Sequence, residues 1–326
     1  MANATPLHVV TGKGGTGKTT VAAALATALA DAGRRVLLCE VEGRQGIAQL
    51  FDVPPLPYEE RRVAVGLGGG EVYALAIDPE AALLEYLQMY YRLGRAGKAL
   101  DRFGIIDFAT TIAPGVRDVL LTGKVYEAAR RQNGTGFTYD AVVMDAPPTG
   151  RIARFLNVND EVAGLARVGP VRRQADSIMA MMRSKTTQVH LVTVLEEMPV
   201  QETIDGIAEL HATNLPVGHV IVNLVESALL GDATREAMTS GSLGTTQVAT
   251  VLQSVALDAE AAPALLDQGQ AHLERQTLQD TQRDVLEEID RRIVELPTMA
   301  DAIDQGALFE LAGLLRADLL NGEDPA

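Results

Sequence analysis

Apolar and polar positions in this chain alternate between two periods, and the alternation predicts a β–α rhythm. Short apolar runs bounded by turn residues read as strands buried on both faces of a parallel sheet. They lie at Leu7–Thr11, Arg35–Val41, Glu71–Ile77, Tyr139–Asp145, Gln188–Leu195, Val217–Asn223 and Arg292–Pro297. Between them, helical stretches follow from an alanine-rich run that opens at Val21, from residues 80–132 with breaks near Gly94–Gly97, Gly104 and Pro114-Gly115, from residues 157–186 and from residues 199–212. Residues 226–291 leave the rhythm: Gly, Thr and Ser turns near 239–246 precede a polar helix at about 268–291, so the stretch reads as a helical insertion. A last amphipathic helix is expected at 306–320. The whole chain, residues 1–326, is expected to form one doubly wound α/β domain. Its sheet should be mostly parallel, of about seven or eight strands, with helices on both faces.

Composition narrows the class. Apolar residues make up 47% and aromatics only 4%, with no Trp, so the interior must be built from Ala, Leu and Val. A net charge of −15 disfavours nucleic acid or an acidic membrane surface as partner. Cys39 is the only cysteine, which excludes an internal disulfide and a Cys-x-x-Cys metal site. It sits inside an apolar strand and is expected to be a small core residue. His190 and His219 lie in apolar strands without metal-ligand spacing and read as structural. The first strand begins too early for a signal peptide and no run is long enough to span a bilayer, so a cytoplasmic protein is expected. Two stripes stay open between core filling and a client-binding face: Tyr86–Tyr91 and the Met179, Met181, Met182 cluster.

The chemistry concentrates in residues 12–20, Gly-Lys-Gly-Gly-Thr-Gly-Lys-Thr-Thr, between a strand and a helix. Gly12, Gly17, Lys18 and Thr19 fill the fixed places of G-x-x-x-x-G-K-S/T. Glycines at Gly12, Gly14, Gly15 and Gly17, with Thr16 among them, let backbone N–H groups turn toward a phosphate at the positive end of a helix. Lys18 would neutralise the β- and γ-phosphates of the nucleotide, with ATP/ADP and Mg²⁺ as the expected cofactors, and the Thr19 hydroxyl would ligate Mg²⁺. Asp145 ends an apolar strand and is followed by Ala146-Pro147-Pro148-Thr149-Gly150. An acid at that sheet edge can hold Mg²⁺ directly or through water, and a Pro/Gly turn at Pro148, Thr149 and Gly150 is suited to respond to phosphate loss. Glu42 follows another strand at the same edge, where it is either a γ-phosphate neighbour or an ordinary loop charge. Lys13 is not needed to wrap phosphate within one subunit; alone, it reads as a functional or a merely solvated lysine.

The order of Lys-Gly-Gly-x-Gly-Lys-Thr-Thr, Asp-x-x-Pro-Thr-Gly, a strand ending in Asn223 and a late strand ending in Pro297 resembles the ArsA arsenite-pump ATPase family. Its eukaryotic relatives target tail-anchored membrane proteins in the guided-entry pathway. The likeness covers about residues 7–225 and 292–320 and is closest to an actinobacterial branch that occurs as paired paralogues. It implies a dimer, either a homodimer or a heterodimer with a paralogue, in which Lys13 reaches the partner's ATP while Lys18 and Thr19 act in cis. It further implies that Thr20 touches the α-phosphate, Glu42 orients the attacking water as the catalytic carboxylate, Asp145 supports Mg²⁺, and Asn223 and Pro297 contact adenine. The nucleotide state would be passed through helices to a protein client or membrane partner.

Departures from the family pattern limit what carries over. Glu42-Gly43-Arg44 stands where the first switch usually has Asp-Pro-Ala, and Arg151 where the second usually has His. The cysteines for arsenite and for the guided-entry zinc clamp are absent, so neither of those roles is expected. Three other readings stay in view: a nucleotide-dependent regulatory subunit with little hydrolysis, a partitioning or positioning ATPase, and an iron–sulfur reductase. The acidic charge argues against the second, and the placement of Cys39 against the third.

Overall fold

A computed structural model describes residues 5–91, 115–134, 136–165, 170–300 and 302–320. In chain order its elements begin with β1 (Leu7–Gly12), α1 (Lys18–Asp31), β2 (Arg35–Glu40), α2 (Gly46–Leu50), β3 (Arg61–Val65), β4 (Glu71–Ala76), α3 (Pro79–Tyr91) and α4 (Val116–Arg130). Then come β5 (Gln132–Asn133), β6 (Gly136–Phe137), β7 (Ala141–Asp145), α5 (Thr149–Leu165), α6 (Pro170–Met182), β8 (Thr187–Thr193), α7 (Glu197–Ala212) and β9 (Val217–Val225). The rest is α8 (Asp232–Thr239), α9 (Thr245–Ser254), a 3₁₀ turn (Ala259–Ala261), α10 (Ala262–Glu287), β10 (Ile293–Pro297) and α11 (Gln305–Leu315), which runs into a π turn (Arg316–Leu320).

The main sheet has 8 strands in the order β10-β9-β8-β1-β7-β2-β4-β3, while β5 and β6 form a separate hairpin. Only β3 runs antiparallel, at the edge against β4. Parallel strands bury both faces, which is why the sequence shows continuous apolar runs rather than alternation. On one face α1 and α11 pack through Val21, Leu25, Leu29, Leu308, Leu311 and Leu315. On the other, α4, α5, α6 and α7 contribute Leu121, Phe155, Ile178, Met182 and Leu210. Each such fully buried side chain stabilises the fold by roughly 1.5–3 kcal/mol. The parallel strands point their C-terminal ends to one edge, where doubly wound sheets place their ligands.

Several expectations resolve here. Cys39 is fully buried in β2, and burial pushes its thiol up to about 12. Met179, Met181 and Met182 are core residues. His8, His190 and His219 stack across β1, β8 and β9, with successive ring centroids 5.4 Å apart. Residues 226–291 hold α8, α9, the 3₁₀ turn and α10, a long helix that spans Ala262–Glu287 rather than starting near residue 268. Two features escape the pattern: β3, whose Arg61 and Arg62 are exposed at the sheet edge, and the hairpin of β5 and β6. The breaks expected near Gly94–Gly97, Gly104 and Pro114 and the side chains of Tyr86–Tyr91 lie outside the described residues. Among the described residues no helix is long and apolar enough to cross a membrane.

Candidate functional site

The loop between β1 and α1 is shaped by what its glycines permit. Gly15 and Gly17 adopt φ of 91° and 83°, a left-handed backbone that favours glycine. A Cβ on Gly12 would stand 2.2 Å from the carbonyl oxygen of Val192 in β8, so only glycine lets the loop leave β1 here. At Gly14 and Gly15, by contrast, an added Cβ would meet nothing within 4 Å, so this part of the loop is open. Thr16 closes the turn, its hydroxyl donating to the Lys13 carbonyl at 2.9 Å. The first turn of α1 holds no acid and its N-cap, Gly17, provides no side-chain cap. Its first backbone N–H groups therefore still need an acceptor, and with the helix's positive end they suit an anion. Lys18 is 8% exposed, and Thr20 is half-buried one turn into the helix.

Behind the loop, β1, β7 and β2 set Val10, Asp145 and Glu40 side by side in register. The Thr19 hydroxyl donates to Asp145 Oδ2 at 2.7 Å, while Asp145 Oδ1 is buried without a partner. Burial raises the Asp145 carboxyl to about 6; the Thr19 bond and Lys18 oppose this shift, and Glu40 and Glu42 add to it. A hydroxyl touching a carboxylate with an orphaned oxygen fits a hard divalent cation that takes oxygen ligands. Among the described residues no three His, Cys, Asp or Glu side chains converge to enclose a metal. A cation here would keep water and phosphate ligands, the habit of Mg²⁺.

Glu42 is partly exposed just beyond β2, and Arg44 lies 3.7 Å from its carboxylate. The loop that carries them turns through Gly43 and Gln45, both with positive φ. It is anchored by Gln45, whose amide donates to the Leu56 carbonyl at 3.1 Å and whose carbonyl oxygen accepts from the Leu56 N–H at 2.7 Å. The sequence reading missed Gln45 and Glu40: nothing in a local pattern shows that Gln45 reaches Leu56, and Glu40 is hidden within an apolar run.

The segment after Asp145 is tied to β1, with the Thr11 hydroxyl donating to the Pro147 carbonyl at 2.7 Å. The carbonyl of Pro148 accepts the Arg151 N–H at 2.9 Å, and α5 begins at Thr149. Thr149 is buried and its hydroxyl has no partner, whereas Gly150 has open space around it. Arg151 points away to Asp118, 3.6 Å distant. Asn223, two residues before the end of β9, which runs on to Val225, is 4% exposed, and its side-chain amide donates to the Thr16 carbonyl at 2.9 Å. Pro297 pairs with Val225 on β10 at the outer edge of the sheet, with β9 and β8 between it and β1. Lys13 Nζ lies 3.3 Å from Glu202 Oε1 on α7. Gly12 to Thr20, Asp145 and Asn223 thus meet around one loop, Glu42 stands at the adjoining strand end, Thr149 lies against Gly206 of α7, and Arg151 and Pro297 stand apart.

A mostly parallel doubly wound sheet with an open glycine loop between its central strand and the first helix defines an α/β protein of the P-loop type. Residues 6–185 match the model of the anion-transporting (ArsA) ATPase family, and the chain belongs to that family. It is 51% identical to ATPase BagA of Mycobacterium tuberculosis over 310 residues, covering 94% of this chain and 91% of the relative. Similarity to the arsenical pump-driving ATPase of Escherichia coli is 26% over 251 residues, 68% of this chain and 40% of that protein. ATPase GET3 of Kluyveromyces lactis is 26% identical over 249 residues, 66% of this chain and 70% of the relative.

Proposed function

We propose that this protein binds ATP with Mg²⁺, hydrolyses it, and uses the nucleotide state to switch a dimer that acts on a protein client or membrane partner. The observation that carries the reading is the Thr19–Asp145 hydrogen bond at the base of the open glycine loop. In this reading the N–H groups of residues 14–19 and Lys18 hold the phosphates, and Thr19 with Asp145 holds the cation. Mg²⁺, when bound, neutralises charge on the phosphate oxygens. Glu42 orients the attacking water and accepts its proton, once its carboxylate is free of Arg44. Asn223 fixes the loop through Thr16, and Thr149 reports on the γ-phosphate from the second loop. Lys13 leaves Glu202 to reach the phosphates of a second subunit, either another copy or a paralogue.

The test is a pair of variants with nucleotide binding and phosphate release measured on each. Lys18→Ala should lose ATP binding, whereas Glu42→Gln should bind normally and turn over slowly. Full-rate hydrolysis by Glu42→Gln would remove Glu42 from the chemistry. The Glu42–Arg44 pair also favours a second reading, a regulatory nucleotide-binding subunit with little hydrolysis of its own. Phosphate release that is absent alone but appears with a paralogous chain would support that reading.

A further inference from the structure

Glu40 is a second acid beside the cation site, and it is less exposed than Asp145, 2% against 7%. It closes a strand whose preceding residues, Val36 to Cys39, are fully buried. A carboxylate at the end of such a strand is costly unless it is paired. Its Oε2 has no hydrogen-bond partner, and neither has Oδ1 of Asp145. The two residues are register neighbours on adjacent parallel strands. Val36 and Leu38 pack on the α1 face of the sheet, as do Ala141 and Val143 of β7. Period-two alternation therefore places Glu40 and Asp145 on that same face, toward the N-terminal end of α1 and Thr19. Two unpartnered, buried acceptors side by side leave room for a donor or a positive charge between them.

We propose that Glu40 is a positioning residue of the cation site, accepting a hydrogen bond from a water molecule of the Mg²⁺ held at Thr19 and Asp145. The inference rests on the nucleotide reading above. It assigns Glu40 an outer place: carboxylates that receive metal-bound water fix the orientation of the inner ligands. It also accounts for two buried carboxylates persisting next to each other, because the hydrated cation offsets both.

The experiment uses the full chain and a fluorescent ADP analogue, titrated with Mg²⁺ and separately in EDTA; Mn²⁺ binding to the same complex is followed by electron paramagnetic resonance. Glu40→Gln should raise the half-saturating Mg²⁺ and Mn²⁺ concentrations by roughly 10–100-fold and leave affinity in EDTA unchanged. Glu40→Asp, which keeps the charge but withdraws it by one methylene, should shift them less and serves if the Gln variant does not fold. An unchanged cation midpoint in a folded variant would overturn the assignment, as would an equal loss of affinity with and without the cation. If the unmodified chain binds no nucleotide at all, the ATPase reading fails on its own terms and this inference falls with it.

Discussion

Replacing Asn223 with Ala separates two jobs assigned to that residue. Family resemblance makes it an adenine contact; in the structure its amide donates to the Thr16 carbonyl of the phosphate loop at 2.9 Å. The fit is tight, since a Cβ on Gly17 would come 2.3 Å from Asn223 Nδ2. Removing the amide leaves the Thr16 carbonyl without that donor beside a residue only 4% exposed. An unsatisfied buried acceptor costs about 1–3 kcal/mol. In a domain of this size that lowers the melting temperature by about 2 °C for each kcal/mol. The loop itself loses its brace, so the loss should reach every ligand that binds through phosphate, by a factor of up to about 100 if the whole amount is felt on binding. Calorimetric melting with titrations of ATP and inorganic tripolyphosphate gives the comparison. Both ligands should weaken in parallel and stability should fall. A variant with wild-type melting and wild-type tripolyphosphate affinity that weakens only toward ATP would refute the loop-bracing role.

Three further outcomes follow from the same geometry. The Lys13–Glu202 pair has side chains 28% and 37% exposed, which makes it worth about 0.2–1 kcal/mol. If the chain dimerises on ATP as proposed, Glu202→Gln should ease that self-association by no more than about fivefold in sedimentation velocity, while Lys13→Ala abolishes it; weaker association in Glu202→Gln would place Glu202 in the interface itself. A Cβ on Gly206 would lie 2.3 Å from Thr149 Cγ2 and 3.2 Å from Leu191 Cδ2, so Gly206→Ala should lower urea stability by about 1–3 kcal/mol, and an unshifted midpoint would rule the clash out. The third concerns the histidine column. His190 Nδ1 accepts the His219 backbone N–H at 3.2 Å, so in the neutral ring Nε2 carries the proton and donates to His8 Nδ1 at 3.1 Å. Burial holds His190 well below 6.5 and lowers His8 to about 4, with Arg34 adding to the latter. Depressed bases favour the fold above their unfolded pKa of 6.5, and this stability fades as pH falls from there toward about 4. Each ring contributes a slope of up to about 1.4 kcal/mol per pH unit. Urea midpoints that stay flat from neutral pH down to the lower value would contradict it.

The fold was legible because a parallel sheet writes itself as apolar runs, and β1, β2, β4, β7, β8, β9 and β10 all carry one. β3 was not, because an edge strand exposed on one side carries Arg61, Arg62 and a half-exposed Val65 where a central strand would be apolar. The phosphate loop was legible because its chemistry is local, with every participant within one turn of the next. What sequence could not show were the bonds that cross strands. Asn223 to Thr16 spans 207 positions and Thr19 to Asp145 spans 126, and no pattern of neighbours encodes which atom meets which. Glu40 was hidden for a different reason: in an apolar run one acid reads as a strand end, and only the register beside Asp145 gives it chemistry.

One helix links the two halves of the site. Glu202 and Gly206 are four residues apart on α7 and so share a face. From that face Glu202 meets Lys13 of the phosphate loop, and Gly206 leaves just enough space for Thr149, the first residue of α5. The same helix is rooted in the core through Val200, Ile207 and Leu210. On the proposed function, a Thr149 that shifts with the γ-phosphate would press on Gly206, one turn from the carboxylate that pairs with Lys13. Glycine at position 206 is what lets Thr149 lie against this face of α7, one turn from Glu202.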